Sequence, residues 1–439
     1  MSDDVWQALR THSYDKALSC TVRTAHLDAG GTTLGHLSAP YVIDTGILPV
    51  SAEGSIVYFT SSTGTLNGIS VGTENAPPTA VSSYGVLRGD VLKQRSGKAN
   101  CVGCHTETPD DNFVLVSSKF EGAGTTDGDW YGSSVARINA NDGSSFGATP
   151  SSFAISPLAQ VEMGRGVGGT ASSKSLWDGS RKLVVGWFGE KQNTGFSSTR
   201  RLKTVDLLSG TATEIPTIGS TAGVLPAWSA DGKTIYYTTT KYAFDARVGG
   251  GPDDPADIMA VPFNVAGGTA NGLPVPVNGA SDPQAQEFYP AVSPDSEWLG
   301  FNRIAYTGSV APDVGANPIN PESNIAVIPA AGGARHDLVA NDAMQCPTDV
   351  STSVRQGNRW PKWAPTPKVA DGAKYYFVVF SSQRRVGVAQ LYVAPIMVSN
   401  GVVTSYGALY LRSQDPSTSN HTPVWSSAKV ESNPNVLVQ

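Results

Sequence analysis

A turn unit repeated through the second half of the chain constrains the fold more than any other feature. Pro226-Ala-Trp228-Ser229-Ala-Asp231-Gly232-Lys233 runs into Thr234-Ile-Tyr-Tyr-Thr238. The unit returns as Pro290-Ala-Val292-Ser293-Pro-Asp295, as Pro361-Lys-Trp363-Ala364-Pro365 and as Pro423-Val-Trp425-Ser426. Spacings of 64, 71 and 62 residues suit a four-stranded sheet with variable loops as the repeating unit. Each copy reads as a hairpin. A short strand ends at an Asp-Gly type turn, where glycine accepts a positive φ. A β-branched and aromatic strand follows, then a third strand of small apolar residues at 256–262, 323–329 and 389–394.

Earlier copies are more degenerate. Asp178-Gly179 precedes 183–188, and Pro109-Asp110-Asp111 precedes 113–118. The set at 55–60 and 66–70 has outer strands but lacks an opening Trp-Ser strand, whereas Pro423-Val-Trp425 is an opening strand with nothing after it. The two fragments complete each other. The expected fold is therefore an all-β, six-bladed β-propeller, closed by pairing of N- and C-terminal strands, which removes exposed sheet edges. The competing architecture is a pair of β-sandwiches. Expected boundaries are an N-terminal arm or the remnant of an upstream segment at 1–50, the propeller at 51–427 and a tail at 428–439.

With these residues in view, the chain resembles the TolB-like, or WD40-like repeat, propeller family, whose repeat runs roughly Pro-x-Trp-Ser-x-Asp-Gly-Lys. The match is good at 226–237, fair at 290–301 and 361–380, and weak before 190. The resemblance implies a six-bladed propeller and no particular reaction, since propellers carry many functions.

The feature that carries chemistry is Cys101-Val102-Gly103-Cys104-His105. A C-x-x-C-H pentapeptide suits covalent haem attachment, with two thiols for the haem vinyl groups and an adjacent imidazole for the iron. With four Cys and six His in 439 residues, a chance match has a probability of about one in two thousand. Aligning Thr108-Pro109-Asp110 with Ser229-Ala230-Asp231 puts His105 on the position of Pro226. The motif is then expected in the loop entering the innermost strand of the second blade, beside the central channel. The flanks are turn-like, which argues against an appended helical cytochrome domain. The chain thus resembles a haem-bearing variant of the family.

The same alignment brings His421, two residues before Pro423, into the neighbouring closing blade as a second metal ligand or haem-pocket residue. The competing reading of His421 is a surface loop histidine. Met344 and Met163 are weaker distal candidates. Arg359 is the candidate partner of a haem propionate, with Trp360 and Tyr289 nearby. Against haem stand a redox dithiol, zinc, and a small structural disulfide loop. The dithiol lacks a helix N-terminus, and zinc lacks a second Cys or His pair at ligand spacing.

Other motifs are weaker. Gly68-Ile-Ser70-Val-Gly72 fits a nucleophile pattern but lies in a strand without an elbow. Gly164-Arg-Gly166-Val-Gly168-Gly169 reads as a loop, since no helix follows. Asp253-Asp254 and Asp127-Gly-Asp129 are acidic turns. Charged residues make up 15% of the chain, the net charge is −6 and no Lys/Arg run exceeds two, so nothing resembles a nucleic-acid footprint. No apolar run approaches the ~18 residues of a membrane span.

These features lead to one covalent haem c in a monohaem protein of extracytoplasmic electron transfer. Its expected partner is a redox protein or a small molecule, and its compartment is periplasmic or extracellular. The first thirty residues hold no apolar core, so they read as no signal peptide. In such a compartment Cys20 and Cys346 become a candidate disulfide. Two alternatives stay open: a haem-dependent redox enzyme with an open iron site at the channel mouth, and a haem-free TolB-like protein-interaction scaffold.

Overall fold

The protein is described by a computed structural model. It describes residues 8, 17–28, 30–31, 34–62, 65–71, 79–82, 99–110, 113–120, 130–137, 155–163, 169–188, 201–218, 222–240, 256–305, 323–342, 357–384, 388–412 and 414–427. The expected tail at 428–439 lies outside these residues.

Two units are distinguished, one of residues 1–51 with 368–375 and one of residues 52–367 with 376–439. The smaller holds two antiparallel strand pairs, Ala17–Val22 with Tyr41–Gly46 and Ala25–Leu27 with Leu34–Leu37. The larger is built from antiparallel sheets. The repeat decides where they begin, because each Trp-Ser segment ends an innermost strand.

The innermost strands are β1 (Ala99–Glu107), β2 (Ala171–Trp177), β3 (Ala222–Trp228), β4 (Ala285–Val292), β5 (Arg359–Trp363) and β6 (Asn420–Ser426). Five sheets of four to six strands start from β2, β3, β4, β5 and β6, arranged as the blades of a β-propeller. A three-stranded sheet starts from β1 and continues through Phe113–Phe120 and Trp130–Arg137. The sheet of β6 continues through Ser55–Thr60, far back in the chain, with Trp425 opposite Ile56 and Ser426 opposite Ser55. Innermost strands neighbour one another in the order β1, β6, β5, β4, β3, β2.

The turn chemistry explains the repeat. The Ser229 hydroxyl donates to Asp231 Oδ1 at 2.7 Å and accepts the Thr234 amide at 3.0 Å. Ser293 does the same with Asp295 and Trp298, at 2.6 and 2.9 Å. Gly232 closes the turn at φ 77°, a conformation open to glycine at little cost. Thr108 donates to Asp110 at 2.6 Å, so the degenerate copy keeps the same lock.

The core lies between adjacent sheets. Trp228 packs with Leu176, Val185, Ile235 and Phe263, and Trp363 packs with Ala291, Ile325, Tyr376 and Val378. Met163, at the end of the helix α1 (Pro157–Met163), is buried among Leu115, Trp177, Val184 and Phe188. Its thioether is a packing group, which removes it as a distal-ligand candidate. Met344 lies outside the described residues.

Candidate functional site

Five innermost strands share one irregularity. In β3 the register jumps between Val224 and Ala227, so Leu225 and Pro226 together oppose one residue of the next strand. The same bulge falls on Tyr289-Pro290 in β4, Trp360-Pro361 in β5, Thr422-Pro423 in β6 and Cys104-His105 in β1. Proline suits a bulge because it brings no N–H to the ladder. The residue before it is forced into the left-handed region: φ is 51° at Leu225, 54° at Tyr289, 54° at Trp360 and 43° at Thr422.

The bulges aim these residues at a common cavity that is partly open to solvent. Pro226, Pro290, Pro361 and Pro423 line it, joined by His105 from the β1 sheet and Thr170 beside β2, neither of which carries the proline. Alignment from the turn chemistry and lining of the cavity agree on the address of His105. One detail differs from expectation. Cys101 to His105 lie inside the innermost strand and not in its entry loop, because Cys101, Val102 and Gly103 pair with Lys119, Ser118 and Ser117. Only the backbone of Cys101 and Cys104 is described.

His105 is 5% exposed. Its Nε2 lies 3.0 Å from the carbonyl of Val57. A carbonyl can only accept, so Nε2 carries the proton and Nδ1 keeps a lone pair. That Nδ1 is buried and has no hydrogen-bond partner. Burial pushes the imidazole down to about 4, opposed by the Val57 bond and assisted by Lys362. The ring is neutral at pH 7.

His421 sits on β6, beside the strand of His105. Its ring meets Trp360 edge-on at 5.3 Å between centroids. Burial, then the nearby Arg359 guanidinium, pushes it down to about 4. Its side chain does not line the cavity of His105. Arg359 is buried, and burial lowers it to about 10 against a favourable effect of Tyr289. Tyr289 and Trp360 do line the cavity, with ring centroids 5.6 Å apart.

Lys362 and Thr170 are among the cavity residues that escaped the sequence reading. Lys362 follows Pro361, where other blades carry Ala171, Ala227, Ala291 and Val424. A charge at a small apolar position was the available signal. Burial lowers the Lys362 amine and the Glu107 carboxylate opposes this. Glu107 stands where Trp228, Trp363 and Trp425 stand in other copies. Departures from the repeat thus meet at one place.

Ser70 lies in the strand Thr65–Ser70 with its hydroxyl 3.4 Å from that of Ser55, and no strand–turn–helix elbow presents it. The acidic turns at 127–129 and 253–254, Cys346 and residues 164–168 lie outside the described residues. Among the described residues no cluster of three or more His, Cys, Asp or Glu side chains could hold a metal ion, and no helix is long and apolar enough to cross a membrane.

No family model matches the chain, and no curated protein matches it. Solved structures with similar arrangements include a protein described as a TolB of Agrobacterium tumefaciens, with 15% identity, 82% of this chain and 91% of that one covered, and a TM-score of 0.36. A chain of a nidogen/laminin complex shows 8% identity, 85% and 98% coverage and a TM-score of 0.40. A puromycin-hydrolysing peptidase of Mycobacterium tuberculosis shows 11% identity, 74% and 41% coverage and a TM-score of 0.35. Likeness at this level carries no argument about what the chain does.

Proposed function

We propose that the chain is a c-type monohaem β-propeller protein of extracytoplasmic electron transfer. Cys101 and Cys104 would be its thioether anchors, and His105 would hold the iron. The reading takes the β1 sheet as a sixth blade and the pairing of β6 with Ser55–Thr60 as ring closure.

One observation carries it. In the C-x-x-C-H copy of the bulge, histidine replaces proline, and its neutral imidazole keeps an unpartnered, buried ring nitrogen at the channel cavity. A metal-binding histidine needs a neutral ring whose other nitrogen donates to a carbonyl or carboxylate, and the Val57 carbonyl plays that part. His105 would offer Nδ1 to a haem iron. Ligation through Nε2 would cost the Val57 hydrogen bond. A bound haem would supply one-electron iron chemistry. Around it the buried Arg359 would receive a propionate, and Trp360 and Tyr289 would exclude water.

Expression with haem-attachment machinery followed by a pyridine haemochrome spectrum tests the proposal. The expected result is a c-type band, lost in Cys101→Ser/Cys104→Ser. Full-length folded protein without covalent haem sinks it. A second reading, a haem-dependent redox enzyme with an open iron site, is favoured by the packing of the second-ligand candidate His421, whose ring lies edge-on against Trp360. The spectrum of His421→Ala separates the two. A low-spin to high-spin change supports His421 as second ligand, and an unchanged spectrum removes it.

A further inference from the structure

Trp360 is the largest of the described side chains whose backbone is held in the left-handed region, at φ 54°. Such a conformation persists only where the surroundings over-determine it. Asn302, on the strand Trp298–Ala305 of the β4 sheet, supplies the restraint. Its Oδ1 accepts the Trp360 amide at 2.9 Å, and its Nδ2 donates to the Asn358 carbonyl at 2.6 Å. One side-chain amide thus holds both backbone groups that flank Arg359, in the manner of an added strand. The two partners also fix which way round the amide lies, because the N–H needs an acceptor and the carbonyl a donor. Ser323 Oγ takes a further bond from Nδ2 at 2.9 Å. Asn302, Ser323 and Asn358 are all fully buried.

The corresponding residues of the adjoining blades do less. Cross-strand pairing sets Thr238 opposite Val224, Asn302 opposite Phe288 and Ser381 opposite Arg359, each opposite the residue before a bulge. Ser381 makes one such bond, to the Asn420 carbonyl at 2.8 Å. The Thr238 hydroxyl has no hydrogen-bond partner among the described residues. Of the three, only Asn302 grips the next blade at two points. The bulge it grips carries the indole that meets Tyr289 at 5.6 Å and His421 at 5.3 Å between ring centroids. We propose that Asn302 is the positioning residue of the channel site, acting through Trp360 to set where the His421 imidazole stands. Its bearing on a bound haem rests on the reading given above: Asn302 then governs how His421 is presented to the iron.

Two measurements on the full-length chain test it. In protein made without haem-attachment machinery and labelled with 5-fluorotryptophan, the fluorine resonance of Trp360 is assigned by its loss in Trp360→Phe. Asn302→Ala is expected to move that resonance and to leave the Trp228 resonance in place. Asn302→Thr, the milder change, should move it the same way, and Asn302→Asp, which keeps an acceptor for the Trp360 amide, should retain most of the parent signal. In haem-loaded protein, Asn302→Ala is expected to shift the ferric spin-state balance seen by electron paramagnetic resonance, and to add no shift once His421→Ala is in place. An unmoved Trp360 resonance in folded Asn302→Ala or Asn302→Thr overturns the proposal. So does a spin-state shift that persists undiminished in the His421→Ala background. If no haem attaches, the haem reading fails and the Trp360 resonance alone decides for or against the positioning role.

Discussion

Glu287 shows how burial can outweigh an ion pair. The side chain is fully buried on β4, near the start of the strand. Its Oε1 lies 3.3 Å from Nε of Arg303, but neither atom has a well-formed hydrogen bond. Arg303 instead gives its better contact, at 2.8 Å, to Asp282. Desolvation therefore dominates and pushes the Glu287 carboxyl up to about 7. The folded state holds the proton that the unfolded chain releases near its ordinary value of 4.5. Stability from this group is thus fully present below pH 4.5 and is lost as pH rises through 7, by up to ~3 kcal/mol. Denaturant midpoints at pH 4.5, 5.5 and 7.5 should show that decline in the parent and a flatter profile in Glu287→Gln. Parallel profiles would show that the ion pair, and not desolvation, governs the carboxyl.

At the scale of the element, the X-Pro bulge is the device that turns a blade strand toward the channel. It comes with backbone strain, since a non-glycine residue in the left-handed region costs of order 1 kcal/mol or more. Thr422 is the clearest instance, a β-branched residue at φ 43°. Asparagine tolerates this conformation better. Thr422→Asn is expected to raise stability by about 1 kcal/mol in chemical denaturation. A loss of similar size would show that the Thr422 side chain contributes packing that exceeds the strain. The bulge also explains why the C-x-x-C-H address was readable. The Ser/Thr-x-Asp turn three residues beyond the bulge keeps its hydrogen bond in the degenerate copy at Thr108, so counting back from Thr108 reaches His105.

At the largest scale, the larger unit is tied by a contact across nearly the full chain. Trp425 on β6 is 1% exposed, and its indole N–H donates to the Glu53 carbonyl at 2.9 Å. Beside it, Val424 and Ile56 are fully buried. Trp425→Ala removes a large buried side chain and orphans a carbonyl, so a loss of ~3–5 kcal/mol is expected. Equilibrium unfolding should show it as a lower midpoint. A loss under about 1 kcal/mol would mean that the β6 pairing adds little to the larger unit.

The repeat alone dictated the all-β class, the hairpins and the pairing of Asn420–Ser426 with Ser55–Thr60, because Asp-Gly turns and alternating strands are local chemistry. It also placed His105 on a proline position. Only the tertiary structure decided which side chains share the channel. Lys362 and Glu107 come from strands some 250 residues apart, and no spacing rule joins them. Nor could spacing tell that Met163 packs beneath a blade, that the pentapeptide is strand and not loop, or that Val57 takes one ring nitrogen of His105 and leaves the other bare. Local sequence sets the turns and the strands. Convergence of side chains on a channel is set by how separate blades pack around it.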